Sequence, residues 1–468
     1  MDSQRTQQAK YGFVFSLRLS LVRFLVISPL ALALIPLSAQ TVDFSENTKL
    51  NYKGNLGINY WFFPKDAPKS DMPQHVGTFD GQIDLNLKTG KYLEFRANPR
   101  GVVDFKDQNR RRFLPQDIYA DFVTSRFELR AGYQIFSWKT VESVAHSDIL
   151  NQTDPSLDFF DAPKIGEPAL RSRIIFGEES PHTVEFYYLP YFTPAKLPLA
   201  GNRFDFSGAL PQTTYLGQTI SPAVIYDPDL NRYETPYNRW RPQGAVRYQK
   251  QLFGKVDTSL YYFNGYKRFP QLHPVAATAI VTPLPGVTIP TQYAQAYTPI
   301  HQGGVTWQGT IDALLVKGDV AYIQYVTDTL AQDQKTIVKP YAQYTVGFEY
   351  TFNSLFIDSQ DLGVIVEALG DTDTGKNSTE LDIFRPFQNH VFAGLRYTFN
   401  NTGDRSLLAG TFTDYKKGDV IARIEYEERF FERVKVKAQF LGFATSATSQ
   451  LKPFEHTTRA SLLVSYYF

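Results

Sequence analysis

His146 sits in the run VESVAHSDIL, with Ser143 and Ser147 on either side of it and Asp148 two residues on. A hydroxyl, an imidazole and a carboxylate are the parts of an acyl-transfer site, provided they come within hydrogen-bond reach of one another. His390 beside Asn389 and His456 beside Glu455 offer fewer of the same parts. None of the serines lies in a G-x-S-x-G turn, and adjacency in sequence does not supply the reach. His146, Asp148, Asp154, Asp158 and Asp161 have the types to hold a hard cation such as Ca²⁺, but their spacing is not that of an EF-hand loop. With 7 His and 0 Cys the chain has no thiolate metal site, no cysteine nucleophile and no disulfide scaffold. Gly303-Gly304 carries no phosphate-loop pattern, and no zinc or nucleic-acid motif is present. The sequence therefore predicts neither an enzyme nor a metal or cofactor site.

A second set of chemistry-bearing residues recurs at every other position. Asp84, Glu94 with Arg96, Glu128 with Arg130, Arg423 with Glu425, and Arg433 with Lys435 and Lys437 each fall on the polar face of an alternating segment. Opposed rows of acid and base lining a water-filled channel would create a transverse field that shapes solute passage. The same rows would equally serve as ion pairs that stiffen a wall. Glu425 and Glu427 are placed to neutralise the Arg433, Lys435 and Lys437 triad. Asn109 to Arg112, NRRR, is either a guanidinium cluster for the phosphates of lipopolysaccharide or a solvated loop.

The elements that must carry these residues read with period two. In Phe127 to Ile135, Phe127, Leu129, Ala131, Tyr133 and Ile135 face one way, and Glu128, Arg130, Gly132 and Gln134 the other. Gly81 to Lys88, Ala342 to Phe352 and Arg433 to Phe440 repeat the pattern. No sustained helical stripe exists; the best helix-like piece, Val141 to Leu150, is short. Strands are expected near 50–63, 75–88, 91–105, 116–124, 126–137, 170–178, 182–191, 241–250, 254–265, 302–315, 318–328, 341–353, 360–370, 389–400, 404–415, 418–428, 431–443 and 456–468. That makes about 18, with about 14 the lower bound if weak segments merge.

The connections alternate between tight turns and long Pro-, Asp-, Asn- and Gly-rich stretches. Thr89-Gly90, Ser125 and Val316-Lys317 belong to the first kind, and Lys139 to Ala169, Phe192 to Trp240 and Gly265 to Pro299 to the second. Short periplasmic turns and long external loops are the mark of an outer-membrane barrel. The expectation is an all-β, transmembrane antiparallel β-barrel, since closure pairs every backbone group that lipid would leave without water. The aromatics Tyr60, Trp61, Phe62, Phe63, Tyr397 and Phe399 suit the headgroup level or cross-strand packing.

The ends carry addresses. Arg5, Lys10, Arg18 and Arg23 precede the apolar run Phe24 to Leu37 and the exit Ser38-Ala39-Gln40, the form of a signal peptide over 1–40. The barrel domain is then 41–468. In its last segment Ala460, Leu462, Val464, Tyr466 and Phe468 form one apolar face, similar to the C-terminal signature recognised by the barrel-assembly machinery. Lys+Arg 48 against Asp+Glu 47 argues against a nucleic-acid partner. The chain is expected in the cell outer membrane, with lipid and lipopolysaccharide around it and a small-molecule solute within. Its oligomeric state is left open.

The connection over 138–170 holds Ile149, Leu150, Leu157, Phe159, Phe160 and Ile165, apolar residues ill suited to a loop in water. It is expected either to fold into the barrel and constrict it or to pack over the rim. His146, Asp148, Asp154, Asp158, Phe159, Phe160 and Asp161 are then the constriction candidates. About 50 residues here, from Leu129 into the strand that ends RSRIIF, resemble a block in a poorly characterised family of Gram-negative outer-membrane barrels. In that family a GRQ…WG strand end precedes an N-P-x-D stretch. Gly132, Gln134 and Trp138 match, Tyr133 replaces the usual basic residue, Lys139 replaces the glycine, and Asn151 to Pro155 follows the second part loosely. The resemblance implies a channel for passive uptake of small solutes, hydrophobic or carboxylated. The rival expectation is a surface-exposed structural or adhesin scaffold with a blocked lumen.

Overall fold

The computed structural model describes residues 40–69, 71–178, 181–205, 207, 210, 213–215, 218–233, 235–280, 287–326, 339–372 and 385–468. The signal-peptide expectation falls, apart from Gln40, outside the described residues.

Eighteen strands close into one antiparallel barrel. They are β1 Thr48–Phe62, β2 His75–Thr89, β3 Leu93–Asp104, β4 Arg112–Val123, β5 Phe127–Gln134 and β6 Glu167–Phe176. Next come β7 His182–Leu189, β8 Gln243–Leu252, β9 Val256–Tyr266, β10 Pro299–Ile311, β11 Leu314–Tyr325 and β12 Tyr341–Phe352. The last are β13 Asp361–Asp371, β14 Asn389–Thr398, β15 Ser406–Asp414, β16 Val420–Phe430, β17 Val434–Ala444 and β18 Arg459–Tyr467. Each pairs with its neighbours in sequence, and β1 pairs with β18 to close the ring. Each expected strand has its counterpart.

Closure runs from Asn55 opposite Tyr467 to Phe62 opposite Ala460. Gly54 and Phe468 extend it by exchanging backbone hydrogen bonds of 2.9 and 3.0 Å. Gly54 must lack a side chain, because a Cβ there would lie 2.5 Å from the Phe468 ring. A short strand, Gln40–Ser45, pairs with β1 over residues 48–52, below the end of β18.

Alternation sorts the wall into two surfaces. Leu260, Leu395 and Phe348 are 58%, 50% and 48% exposed, and they stand on the outside with Leu129, Tyr133 and Val366. The charged rows turn inward. Trp61 and Phe63 depart from the expected headgroup belt: they are buried, and both rings make edge contacts with Phe204 of the 190–242 connection. Tyr60 and Phe62, one residue out of phase, face outward and stack on His75.

The connections keep the expected parity, tight at 90–92, 124–126, 253–255, 312–313 and 431–433 and long at 135–166, 190–242 and 267–298. Two of the long ones are more ordered than their sequences suggest. Gln271–Ile280 pairs antiparallel with Val287–Tyr297, and the latter takes Ala223–Val224 and Arg232–Tyr233 as parallel neighbours. Pro274 and Pro290 interrupt the strand pattern there, and the parallel partners come from a different connection.

Leu260→Arg, at the middle of β9, is expected to cost about 2–4 kcal/mol in lipid vesicles, read as a lower midpoint of denaturant unfolding.

Candidate functional site

The 135–166 connection leaves β5 at Gln134 and runs across the interior to the opposite wall. Its start is pinned by Asn151, whose side chain donates to the carbonyls of Gln134 at 2.8 Å and Ile165 at 2.9 Å and accepts from the Phe136 amide. From there the chain reaches β10 to β14. Gln302 donates to the His146 carbonyl at 2.7 Å, Thr345 to that of Val144 at 2.8 Å, and the Thr140 hydroxyl to that of Gly318 at 3.2 Å.

Two wall carboxylates take the backbone amides at the tip. Glu367 on β13 accepts from the amides of Glu142 at 2.8 Å and Ser143 at 2.7 Å, and also from the Ser143 hydroxyl. Asp319 on β11 accepts from the Ser147 amide at 2.9 Å and hydroxyl at 2.6 Å.

The acids of the connection are met in turn by bases. Glu142 pairs with Arg396 on β14 at 2.6 Å and Asp154 with Arg112 on β4 at 3.1 Å. Asp158 pairs with Arg459 on β18 at 2.5 Å and Asp161 with Arg423 on β16 at 2.9 Å. Asp148 pairs within the connection, with Lys164 at 2.6 Å. Charge-assisted bonds of this kind are about twice as strong as neutral ones. Burial pushes the Asp161 carboxyl up, but Arg423 and Arg459 outweigh it and hold the group below the usual carboxylate range. The same contest at Glu142, with Arg396 as the stronger side, also ends below it.

The apolar residues seat against the wall. Ile149 and Leu150 join a cluster with Tyr261, Ile300 and Ile323. Leu157 and Ile165 pack on Val102 and Leu114. Phe159 stacks on Phe454 with centroids 4.1 Å apart, and Phe160 lies 4.5 Å from Phe443.

The other candidates form ion-pair ladders on the inner face. Arg96 donates to both Asp84 oxygens at 3.1 and 3.0 Å, and Glu94 meets Lys88 at 3.5 Å. Arg130 bridges Asp121 at 2.7 Å and Glu128 at 3.0 Å, and Arg171 also engages Glu128. Glu425 takes Arg423 at 2.7 Å and Lys437 at 2.9 Å, and Glu427 takes Lys435 at 2.6 Å. Arg433 donates to the Tyr466 hydroxyl at 3.2 Å. Within the NRRR run Arg110 is buried, pairs with Asp104 at 2.5 Å and lies over the Trp61 ring, while Asn109 and Arg111 are exposed.

Ser143 and Ser147 bond Glu367 and Asp319, while His146 reaches Thr345 at 3.3 Å. Among the described residues no three His, Asp or Glu side chains converge as metal ligands would. Glu367, Asp319, Arg396 and Arg459 escaped the sequence reading. Their local signal is a charge set within a largely apolar alternating strand, as Glu367 is in GVIVEALG.

No protein-family profile matches the chain, and no curated protein matches it in sequence. Among solved structures the chain is similar to OccAB4 of Acinetobacter baumannii, at 8% identity and TM-score 0.47, covering 91% of this chain and 100% of that one. It is similar to OccD3 (OpdP) of Pseudomonas aeruginosa, at 8% identity and TM-score 0.45, covering 92% and 93%. It is also similar to Wzi of Escherichia coli, described as a carbohydrate-binding β-barrel, at 6% identity and TM-score 0.47, covering 88% and 84%. The closed wall, apolar outside and charged inside, makes this an outer-membrane β-barrel.

Burial first, and then the charge of Lys267, press the His146 imidazole down to about 4. A released connection would protonate this ring near pH 6.5, and the seated one only near pH 4. Docking is therefore fully favoured above about pH 6.5 and weakens as the pH falls toward 4. Amide exchange over 138–166 should speed up across that window relative to the β-strands, and His146→Gln should flatten the change.

Proposed function

We propose that the protein is a passive channel through which small solutes cross the outer membrane, and that residues 138–170 form its constriction. The observation that carries the reading is the fastening of this connection across the lumen by bonds to inner-facing groups of β4, β10 to β14, β16 and β18. The paired rows at Asp84–Arg96, Glu128–Arg130 and Glu425–Lys437 line the water path. A wall of alternating charge favours hydrophilic solutes, carboxylates among them, over hydrophobic ones. No chemical step is assigned. Lipopolysaccharide surrounds the outer face, and the apolar face of β18, with Leu462, Val464, Tyr466 and Phe468, serves the assembly machinery as its handle.

The scaffold reading has one observation in its favour. Apolar clusters, such as Ala195, Leu197 and Val224 with Ile421, Leu441 and Phe454, fill the interior at the long-loop end. Planar-bilayer recording separates the two readings: discrete steps support the channel, and silence at every voltage supports the scaffold. Deleting Ser147 to Lys164 is expected to raise unit conductance severalfold. Unchanged conductance would remove the constriction.

A further inference from the structure

Most charges on the inner wall are spent on each other, and Arg247 on β8 is not. It stands opposite Glu185 on β7, yet among the described residues it makes no ion pair. Glu185 is occupied by the Tyr187 hydroxyl, which donates to it at 2.8 Å. Among the described residues the Arg247 guanidinium donates to the Ser259 hydroxyl alone, at 3.3 Å, and lies over the Trp138 ring at 5.2 Å, while its Nε is buried without a hydrogen-bond partner. Arg173 on β6 is nearly as loose. Its Nε lies 3.9 Å from Glu185 without a hydrogen-bond partner, and its Nη1 lies 4.0 Å from Glu128.

Both guanidiniums face one cavity of about 350 Å³ beneath the inserted connection, whose Thr140 forms part of the lining. The rest of that lining holds Lys250 and a row of hydroxyls and amides on adjacent strands, where Thr183 donates to Gln249 at 3.2 Å and Ser259 and Thr306 share a bond of 2.6 Å, pairs that a ligand's own hydroxyls would join or replace. Its one carboxylate, Asp257, accepts from Gln251 at 3.1 Å. A guanidinium fork matches a carboxylate in plane and charge. Hydroxyl and amide walls match hydroxyl groups and give an apolar body nothing to gain.

We propose that this cavity is a station for a small hydroxylated carboxylate, with its anion on Arg247 and Arg173 and its hydroxyls on Thr183, Gln249, Ser259 and Thr306. The station's role in transport rests on the channel reading, but its occupancy does not.

Calorimetry on the intact, folded protein with gluconate, glucose and benzoate tests occupancy without any current. Gluconate is expected to bind saturably and more tightly than either control. Arg247→Gln is expected to raise its dissociation constant about tenfold or more, and Arg173→Gln to raise it less. Lys88→Gln, which alters a wall charge elsewhere, should leave it unchanged. Heat-modifiable gel mobility establishes that each variant is folded. Absence of gluconate binding, or equal affinity in wild type and Arg247→Gln, overturns the station. Equal binding of benzoate overturns the hydroxyl half and leaves the anion half standing. Saturable, Arg247-dependent binding by a protein that never conducts supports the station and defeats the channel reading instead.

Discussion

The interior is organised by an exchange of charge between one connection and the wall around it. Glu142, Asp154, Asp158 and Asp161 find bases on four different strands, and Glu367 and Asp319 return carboxylates to the amides at the tip. Asp154, Glu367 and Asp319 are the buried members, and each carries a desolvation cost of several kcal/mol that only a complete set of partners offsets. The set is satisfied in one path of the chain. A displaced path would strand several charges at once, so the pairing selects a geometry more than it adds stability.

Apolar contacts and the charge pairs divide the work along the barrel. Phe159 and Phe160 on Phe443 and Phe454, and Ile149 and Leu150 in the Tyr261 cluster, seat the connection by burial, which has no directional preference. The charged contacts then fix its direction. Toward the short turns the packing gives way to polar cavities, one of about 620 Å³ beside Lys53, Asp84 and Arg433. The interior thus passes from a part filled by apolar packing to a part with polar cavities.

The sequence made the wall readable because alternation is a local signal. Phe127 to Gln134 shows its two faces without reference to any other strand. Boundaries slipped where local cues compete. The strand expected from 116 begins at Arg112 and runs through Pro115, and the one expected to reach 137 stops at Gln134, where the chain turns inward. The apolar content of 138–170 pointed to burial, and Ile149, Leu150, Leu157 and Ile165 are buried, with Phe159 and Phe160 partly so. What could not be read was which partner each group takes. Glu367 and Asp319 look like ordinary strand acids until the barrel closes and brings Ser143 and Ser147 to them. Trp61 and Phe63 read as belt aromatics because nothing near them announces Phe204, which comes from a connection far along the chain.

The seam between β1 and β18 joins segments from opposite ends of the barrel's sequence, with Ile58 beside Val464. Every shorter intermediate therefore exposes two rows of unsatisfied amides and carbonyls, an invitation to pair with other chains. Ring completion closes the longest loop in the barrel and so carries its largest loop-closing entropy. Once made, it leaves no free margin from which unzipping can start, so the finished wall persists through a high barrier to opening as well as through its depth in free energy.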